Sequence, residues 1–368
     1  MKNLYLHVGL SKTGSSALQS WLSLNASVLA RQGYYYADLV PSAKEGKITA
    51  GNGVALFNAC KSEDFVEVER LIADVYFGSY KKAIISSEAL QNIPLESISK
   101  IKEICDRNKV KVTVLAYVRS AYELFYSNYL QGVKRHGFDY KFGQKGGFSY
   151  SMQTKFLKNY LSVFKESLIV NNYDFVKNDI FISFANSCGF NSKLTSIKNK
   201  TVNRSLTHNE AEVLRKANAI HRGLFSAEIS NYLIDKTPEK KTVVYYREEL
   251  INKVINNCID DISWINEQFF IGKKSLDICL YDKTLTPINE SNDTVNDVYK
   301  IIVEWCLDCQ KSSKENGFVE FIRDLGVSIE KNNLDLAYVL MRKAHKLRPN
   351  GPFIKNRLAI YEKRLNQI

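Results

Sequence analysis

The residues Gly9-Leu-Ser-Lys-Thr-Gly-Ser-Ser16 form a short loop bounded by glycines and rich in hydroxyl groups. The β-rich run Leu4–Val8 precedes this loop, and an apolar pattern with helical spacing begins at Ala17. A loop between a strand and a helix presents backbone N–H groups and the positive end of the helix dipole to an anion. The loop is therefore a candidate site for a phosphate-like anion.

The same loop has the G-x-x-x-x-G frame of a Walker A motif but departs from it at the decisive position. Ser15 stands where that motif requires lysine, and the only lysine of the loop, Lys12, lies inside it. The loop therefore lacks the lysine with which a Walker A motif binds the phosphates of ATP. Taken alone, the loop is better explained as a glycine-rich turn that binds nothing.

A second cluster follows the apolar run Val110–Val118, which the sequence predicts to be a strand. Arg119 stands at its end, and Ser127 lies eight residues further along a predicted helix. A guanidinium and a hydroxyl that converge beside an anion-binding loop can hold a second phosphate. Taken alone, this segment is also compatible with an arginine at a strand end and a core of neighbouring aromatic residues.

Together the two segments resemble the sulfotransferases that use 3′-phosphoadenosine-5′-phosphosulfate (PAPS), in the style of the bacterial and heparan sulfate-type members. The resemblance covers residues 4–21 and 112–131, and it extends more weakly to Asn172-Tyr-Asp-Phe175 and to Val202-Asn-Arg-Ser-Leu206. One departure is Ala121, where many members have proline.

The resemblance implies a role for each matched residue. The loop Ser11–Ser16 would grip the 5′-phosphosulfate, and Arg119 and Ser127 would grip the 3′-phosphate. Arg204, in the late loop, would lie near the cofactor. The product would be 3′-phosphoadenosine-5′-phosphate (PAP), and the expected acceptor is a hydroxyl or amine on a carbohydrate of a cell-surface glycan.

Glu88 follows the predicted strand Ala83–Ser87 and is the leading candidate for a general base. In an open parallel sheet, reacting groups lie beyond the carboxyl ends of the strands, so Glu88 is expected to face the same crevice as Lys12 and Arg119. A helix-capping carboxylate is the alternative. His7 and His136 are the other candidate bases, although His7 falls within a strand.

In the predicted mechanism Glu88 takes the acceptor proton while Lys12 neutralises the bridging oxygen and the sulfonate. No metal is required, because a sulfonate carries less charge than a terminal phosphate. Two other functions stay open at this point: a P-loop kinase or other nucleotide phosphotransferase, and a non-catalytic nucleotide-binding scaffold.

Alternating strand and helix patterns predict an α/β fold, with a P-loop-like parallel sheet flanked by helices. A fourth strand is predicted over Ser167–Tyr173, and the second half of the chain is mostly helical. We predict an α/β domain over residues 1–316 and a helical C-terminal appendage over 317–368, with a single tetratricopeptide-like unit at Ala337–Pro349.

The 368 residues carry a formal net charge of +12, which favours anionic partners. The lysines are scattered and no nucleic-acid motif is present, so we expect no nucleic-acid partner. The odd number of cysteines, seven, indicates a reducing compartment, and Cys306-x-x-Cys309 is interpreted as helix packing. The N-terminal apolar run, Leu4–Leu10, is too short for a signal peptide or a membrane span, so we expect a cytoplasmic protein.

Overall fold

A computed structural model describes residues 1–37, 50–191, 204–240, 242–281, 294–309 and 317–367. Its centre is a five-stranded parallel sheet with the strand order β2-β3-β1-β4-β5. The strands are β1 (Lys2–Val8), β2 (Tyr34–Tyr35), β3 (Lys82–Ser87), β4 (Val110–Val118) and β5 (Leu168–Asn172).

The helices connect and flank these strands in the order expected of an α/β protein. Those up to the last strand are α1 (Ser15–Leu24), α2 (Ala26–Arg31), α3 (Val54–Lys61), α4 (Phe65–Arg70), α5 (Leu95–Arg107), α6 (Ala121–Arg135) and α7 (Ser151–Phe164). Those after it are α8 (Tyr173–Val176), α9 (Ile180–Cys188), α10 (His208–His221), α11 (Ser226–Lys236), α12 (Glu248–Phe269), α13 (Val295–Asp308), α14 (Phe318–Ile329), α15 (Leu334–Leu347) and α16 (Pro352–Leu365).

The central strands are apolar on both faces because helices cover both sides of the sheet. Consecutive residues of β4, such as Leu115 and Ala116, are completely buried although their side chains point to opposite faces. Leu115 belongs to a core that α1, α2 and α9 build with Trp21 and Phe184, while α5 and α7 pack against β4 and each other. These layers hold the carboxyl ends of the strands in fixed positions.

The fold class predicted from the sequence is confirmed: the sheet is parallel, helices flank it, and the C-terminal region is helical. Four strands were predicted, and both ends of each lie within two residues of the ends of β1, β3, β4 or β5. The strand β2 was missed, because two residues are too few to show an apolar alternation.

The chain divides into two compact units. The first comprises residues 1–124, 148–202 and 248–280, and it contains the whole sheet. The second comprises residues 125–147, 203–247 and 281–368, so the boundary predicted at residue 316 falls inside it. Phe225 in this unit packs its ring against Trp305, Phe318 and Phe321, which joins α13 and α14 to the helices before them.

Arg204 is buried in the second unit, and the prediction that it contacts a cofactor has to be corrected. Its guanidinium forms a bidentate ion pair with Glu210, at 2.7 and 2.9 Å, and also donates to Thr237 and to the carbonyl oxygens of Leu233 and Ser205. Glu210 in turn closes the capping box of α10 with Thr207. These bonds use the donors of Arg204, so its role is structural. Residues 202 and 203 of the same predicted cofactor loop lie outside the described residues.

None of the described helices is long and apolar enough to cross a membrane.

We expect Glu210→Gln to lower the free energy of unfolding of the second unit by about 3–5 kcal/mol, because it leaves the Arg204 charge buried without a partner. Chemical denaturation followed by circular dichroism measures this loss. Glu67→Gln is the control, since Glu67 pairs with Arg70 at the surface and such pairs contribute about 0–1 kcal/mol. Equal losses in the two variants would contradict the structural role of Arg204.

Candidate functional site

Three loops meet at the carboxyl edge of the sheet because β1 lies between β3 and β4. Val8 at the end of β1 is in register with Ser87 of β3 and with Ala116 of β4. The chain passes from β3 on one side of β1 to β4 on the other, so the strand order reverses beside β1. Crevices at such reversals are the usual ligand sites of open α/β sheets.

The loop after β1 has an unusual backbone that its glycines permit. Gly14 has φ +78°, and a Cβ there would lie 2.8 Å from Ile180 Cδ1 and 3.1 Å from the Tyr173 ring. Lys12 also has positive φ, at 63°, which is uncommon for a residue with a side chain. Strained backbone of this kind is concentrated at ligand sites.

Helix α1 starts directly after Gly14, and no side chain caps its N-terminus. The hydroxyl groups of Thr13 and Ser15 both donate to the carbonyl oxygen of Leu10, at 2.7 and 3.3 Å. They therefore stabilise the loop, and the first backbone N–H groups of α1, which no side chain caps, are the groups here that could hold an anion. Ser11 and Ser16 are partly exposed at this loop.

Glu88 lies immediately beside the loop. A Cβ on Gly9 would be 2.6 Å from Ser15 Oγ and 3.0 Å from Glu88 Cγ, so only glycine fits between them. The segment Gly51–Gly53 fixes the end of β3 from the other side. Asn52 is buried, accepts from the Ser86 N–H at 2.9 Å and donates to the carbonyl oxygen of Ile84 at 3.0 Å.

Arg119 leaves the end of β4 and is held against the loop. Its Nη1 donates to the carbonyl oxygen of Lys12 at 3.2 Å, and its Nε lies 3.6 Å from Asp174 Oδ1. The guanidinium also lies over the Tyr173 ring, 5.4 Å from its centroid. Nε is buried and has no hydrogen-bond partner. The guanidinium is thus fixed beside the loop, with its Nε turned to the buried Asp174 carboxylate.

Sequence reasoning missed the groups that position Arg119. Asp174 accepts from the Ser120 N–H at 2.8 Å, and Tyr150 donates its hydroxyl to the carbonyl oxygen of Arg119 at 2.6 Å. A local signal for Asp174 was present, since Asn172 caps α8 by accepting from the Asp174 N–H. No local pattern pointed to Tyr150.

Burial changes the basicity of two groups at this edge. Burial raises the pKa of the Glu88 carboxyl, and the positive charge of Lys12 partly opposes the rise. Burial lowers the pKa of the Lys12 amine; the negative charge of Glu88 opposes this, and the positive charge of Arg119 reinforces it. The Lys12 amine is therefore close enough to both Glu88 and Arg119 for their charges to act on it.

The other predicted residues lie elsewhere. Ser127 is on α6, in the part of that helix that belongs to the second unit. His7 is buried between Tyr117 and Phe184, donates or accepts a hydrogen bond with Ser86 at 2.8 Å, and has its pKa lowered to about 3 by burial. His136 is exposed in the second unit.

Because the pKa of Glu88 is raised in the folded state, the free energy of unfolding should depend on pH. Between its ordinary value of 4.5 and the raised folded value, the folded state binds more protons than the unfolded state. The free energy of unfolding therefore falls as pH rises through this window, and Glu88→Gln should remove that fall. Denaturation of both proteins from pH 4 to pH 8 measures it, with Glu96→Gln on the exposed side of α5 as control. Identical pH profiles for wild type and Glu88→Gln would contradict the burial of this carboxyl.

Comparison of the chain with protein-family models, with curated proteins and with solved structures found no match in any of the three.

Proposed function

We propose that this protein is a sulfotransferase that transfers the sulfuryl group of PAPS to a hydroxyl or amine acceptor, with a carbohydrate as the acceptor class. One observation carries the proposal: Lys12, Glu88 and Arg119 converge beside the uncapped N-terminus of α1, where the strand order reverses. Two cations and a helix end suit a ligand with several anionic groups, and the carboxylate suits an acceptor that must lose a proton.

The residues present fit PAPS group by group. The first N–H groups of α1 and the loop backbone would hold the 5′-phosphate, and the Arg119 guanidinium would hold the 3′-phosphate. Ser127 is proposed to share the 3′-phosphate, as the resemblance implies. Lys12 would neutralise the sulfonate and the oxygen that bridges sulfur and phosphorus.

In the proposed reaction Glu88 accepts the proton of the acceptor O–H or N–H. A new bond forms between the acceptor atom and sulfur, while the bond between sulfur and the bridging oxygen breaks. Lys12 and the N-terminus of α1 stabilise the negative charge that develops on that oxygen, which leaves with PAP. PAPS supplies an activated sulfuryl group. The chain therefore has only to position the two substrates, take the proton of the acceptor and neutralise the charge on the leaving oxygen.

The environment of Glu88 supports its role as the base. A general base is most effective when its pKa lies near the working pH, and burial moves the pKa of Glu88 upward from 4.5 in that direction. His7 is a poor alternative, because burial holds its ring neutral within the core and its pKa near 3. Glu88 is therefore the base in the proposed mechanism.

The thiols support the cytoplasmic compartment that we propose with this function. Five of the seven cysteines are buried thiols: Cys60, Cys105, Cys188, Cys258 and Cys306. Burial raises the pKa of Cys60, Cys105 and Cys306, so these thiols are poor nucleophiles and pack as small apolar groups.

Arg119→Ala and Ser127→Ala should each weaken PAP binding more than the binding of adenosine 5′-phosphosulfate, because only PAP carries the 3′-phosphate. Loss of one charge-assisted contact costs about 1.5–3 kcal/mol. Calorimetric titration of both ligands measures the difference, with Arg107→Ala on the exposed side of α5 as control. Equal losses of binding free energy for the two ligands would mean that Arg119 does not contact the 3′-phosphate.

Glu88→Gln should keep PAP affinity and lower turnover by roughly 10²–10⁴-fold, the usual scale of general-base catalysis. Lys12→Ala should lower turnover and also weaken PAPS, because its charge meets the sulfonate in the ground state and the leaving oxygen in the transition state. Transfer from radiolabelled PAPS to a panel of glycan acceptors measures turnover.

PAP affinity and turnover, measured on the same Glu88→Gln variant, together test whether Glu88 is the base. A Glu88→Gln enzyme with normal turnover would remove Glu88 as the base and leave His136 to be tested. Loss of PAP affinity in the same variant would mean that Glu88 acts in binding.

A further inference from the structure

An open groove of about 640 Å³ lies among α13, α15 and α16, within the second unit. Helix α15 packs against both of the other helices and contributes most of the lining. Leu307, in the last turn of α13, and Leu358, on α16, line the groove from the flanking helices. The volume falls within the roughly 300–1,000 Å³ of ligand pockets, so the groove can hold several side chains of a partner.

One side of α15 faces this groove. The lining stripe of the helix consists of Val339, Arg342, Lys343 and Lys346, and His345 lies next to it. Positions three or four residues apart lie on the same side of a helix, so these side chains form one continuous surface. From its first to its last residue the stripe extends about 10 Å along the helix.

The groove is cationic, and no acidic side chain of the described residues lines it. Lys343 has a structural role, because its amine donates to the carbonyl oxygen of Leu307 at 3.0 Å, in the last turn of α13, where carbonyl groups lack partners within the helix. Arg342 and Lys346 are exposed, and within the described part of the chain neither forms an ion pair. We call these two residues the groove cations.

Other arginines near the groove are paired with carboxylates. Arg348, directly after α15, forms an ion pair with Glu320 at 2.6 Å. Arg357, on α16, donates two hydrogen bonds to the Glu330 carboxylate. The groove cations differ from these arginines, since their charges are left for a partner. Cations of this kind attract a partner of complementary charge and fix its position.

The chemistry of the groove decides among anionic partners. A nucleic acid would meet the groove cations but would place its charged backbone against the apolar side chains of Leu307 and Leu358. A lipid bilayer presents a broad surface and does not enter a groove between helices. A peptide carries acidic and apolar side chains together. Acidic side chains four residues apart in a helix, or two apart in a strand, are separated by about 6–7 Å, which matches two cations four positions apart on α15.

We propose that this groove binds a short acidic segment of a partner protein, in which apolar side chains such as leucine alternate with acidic ones. The acidic side chains pair with the groove cations, and the apolar side chains pack on Leu307, Val339 and Leu358. The binding residues all belong to the second unit, and the proposal does not depend on sulfuryl transfer.

Fluorescence anisotropy of labelled peptides, titrated with the full chain, tests the binding. One probe alternates Glu and Leu, and a second places Glu four residues apart in an alanine-rich helix with Leu between them. Matched peptides replace every Glu by Gln or every Leu by Ser. We expect one acidic probe to bind about tenfold or more tightly than its Gln match, because charge-assisted contacts are lost in that match. The Ser match should bind severalfold more weakly than the same probe.

The double variant Arg342→Gln, Lys346→Gln should remove most of the preference for the acidic probe. The matched control is Lys355→Gln with Lys363→Gln, which lowers the net charge equally at exposed lysines of α16 that do not line the groove.

The apolar part of the groove is tested separately. Leu307→Ala should weaken the acidic probe severalfold and its Ser match little. The Leu307 side chain is 41% exposed, so its truncation should leave the fold intact.

The proposal is overturned if neither acidic probe binds more tightly than its Gln match, if the two double variants lose affinity equally, or if Leu307→Ala leaves the affinity unchanged. Tighter binding of phosphatidylserine vesicles or of a single-stranded oligonucleotide than of both acidic probes would also overturn it. No measurement uses PAPS, so failure here leaves the sulfuryl-transfer proposal standing, and loss of PAP binding leaves this one standing.

Discussion

The pairing of β1 with both β3 and β4 is the constraint on which the candidate site depends. It brings three segments that are far apart in the sequence to one edge of the sheet: the loop before α1, Glu88 and Arg119. A one-residue slip of a strand would turn its side chains to the opposite face, so the apolar residues of the two helical layers also fix the alignment of the polar ones. The site is precise because the core beneath it is fully buried.

Burial at this edge removes charged groups from water, which is unfavourable. Neighbouring opposite charges partly compensate for this loss of hydration. Burial disfavours the charged forms of both Lys12 and Glu88, while each favours the charged form of the other. Asp174 and the Tyr173 ring balance Arg119 in the same way. In the proposed function, charges fixed in this way would meet the anionic groups of the ligand without reorganising, which is the basis of electrostatic preorganisation.

Sequence patterns predicted the elements better than the contacts between them. The strands β1, β3 and β4 are continuous apolar runs and were located closely, and the loop with Lys12 and Arg119 followed from their ends. The groups that hold the site, Asp174 and Tyr150, come from elsewhere in the chain, so no local periodicity could reveal their contacts.

The incorrect assignment of Arg204 has a physical cause. Motif similarity suggested a cofactor contact, whereas the neighbouring Thr207-x-x-Glu210 already carries the signature of a helix capping box. That glutamate provides Arg204 with a buried partner six residues away.

The central claim is that the edge of β1 binds a nucleotide bisphosphate without a metal ion. Two calorimetric titrations test it most directly: one with PAP in the presence of a chelator, and a separate one with ATP and magnesium. The account predicts saturable binding of PAP, and at a hundredfold excess over its dissociation constant a stabilisation of about 2.7 kcal/mol. ATP with magnesium should bind more weakly. No heat and no stabilisation with PAP, or tighter binding of ATP with magnesium, would contradict it.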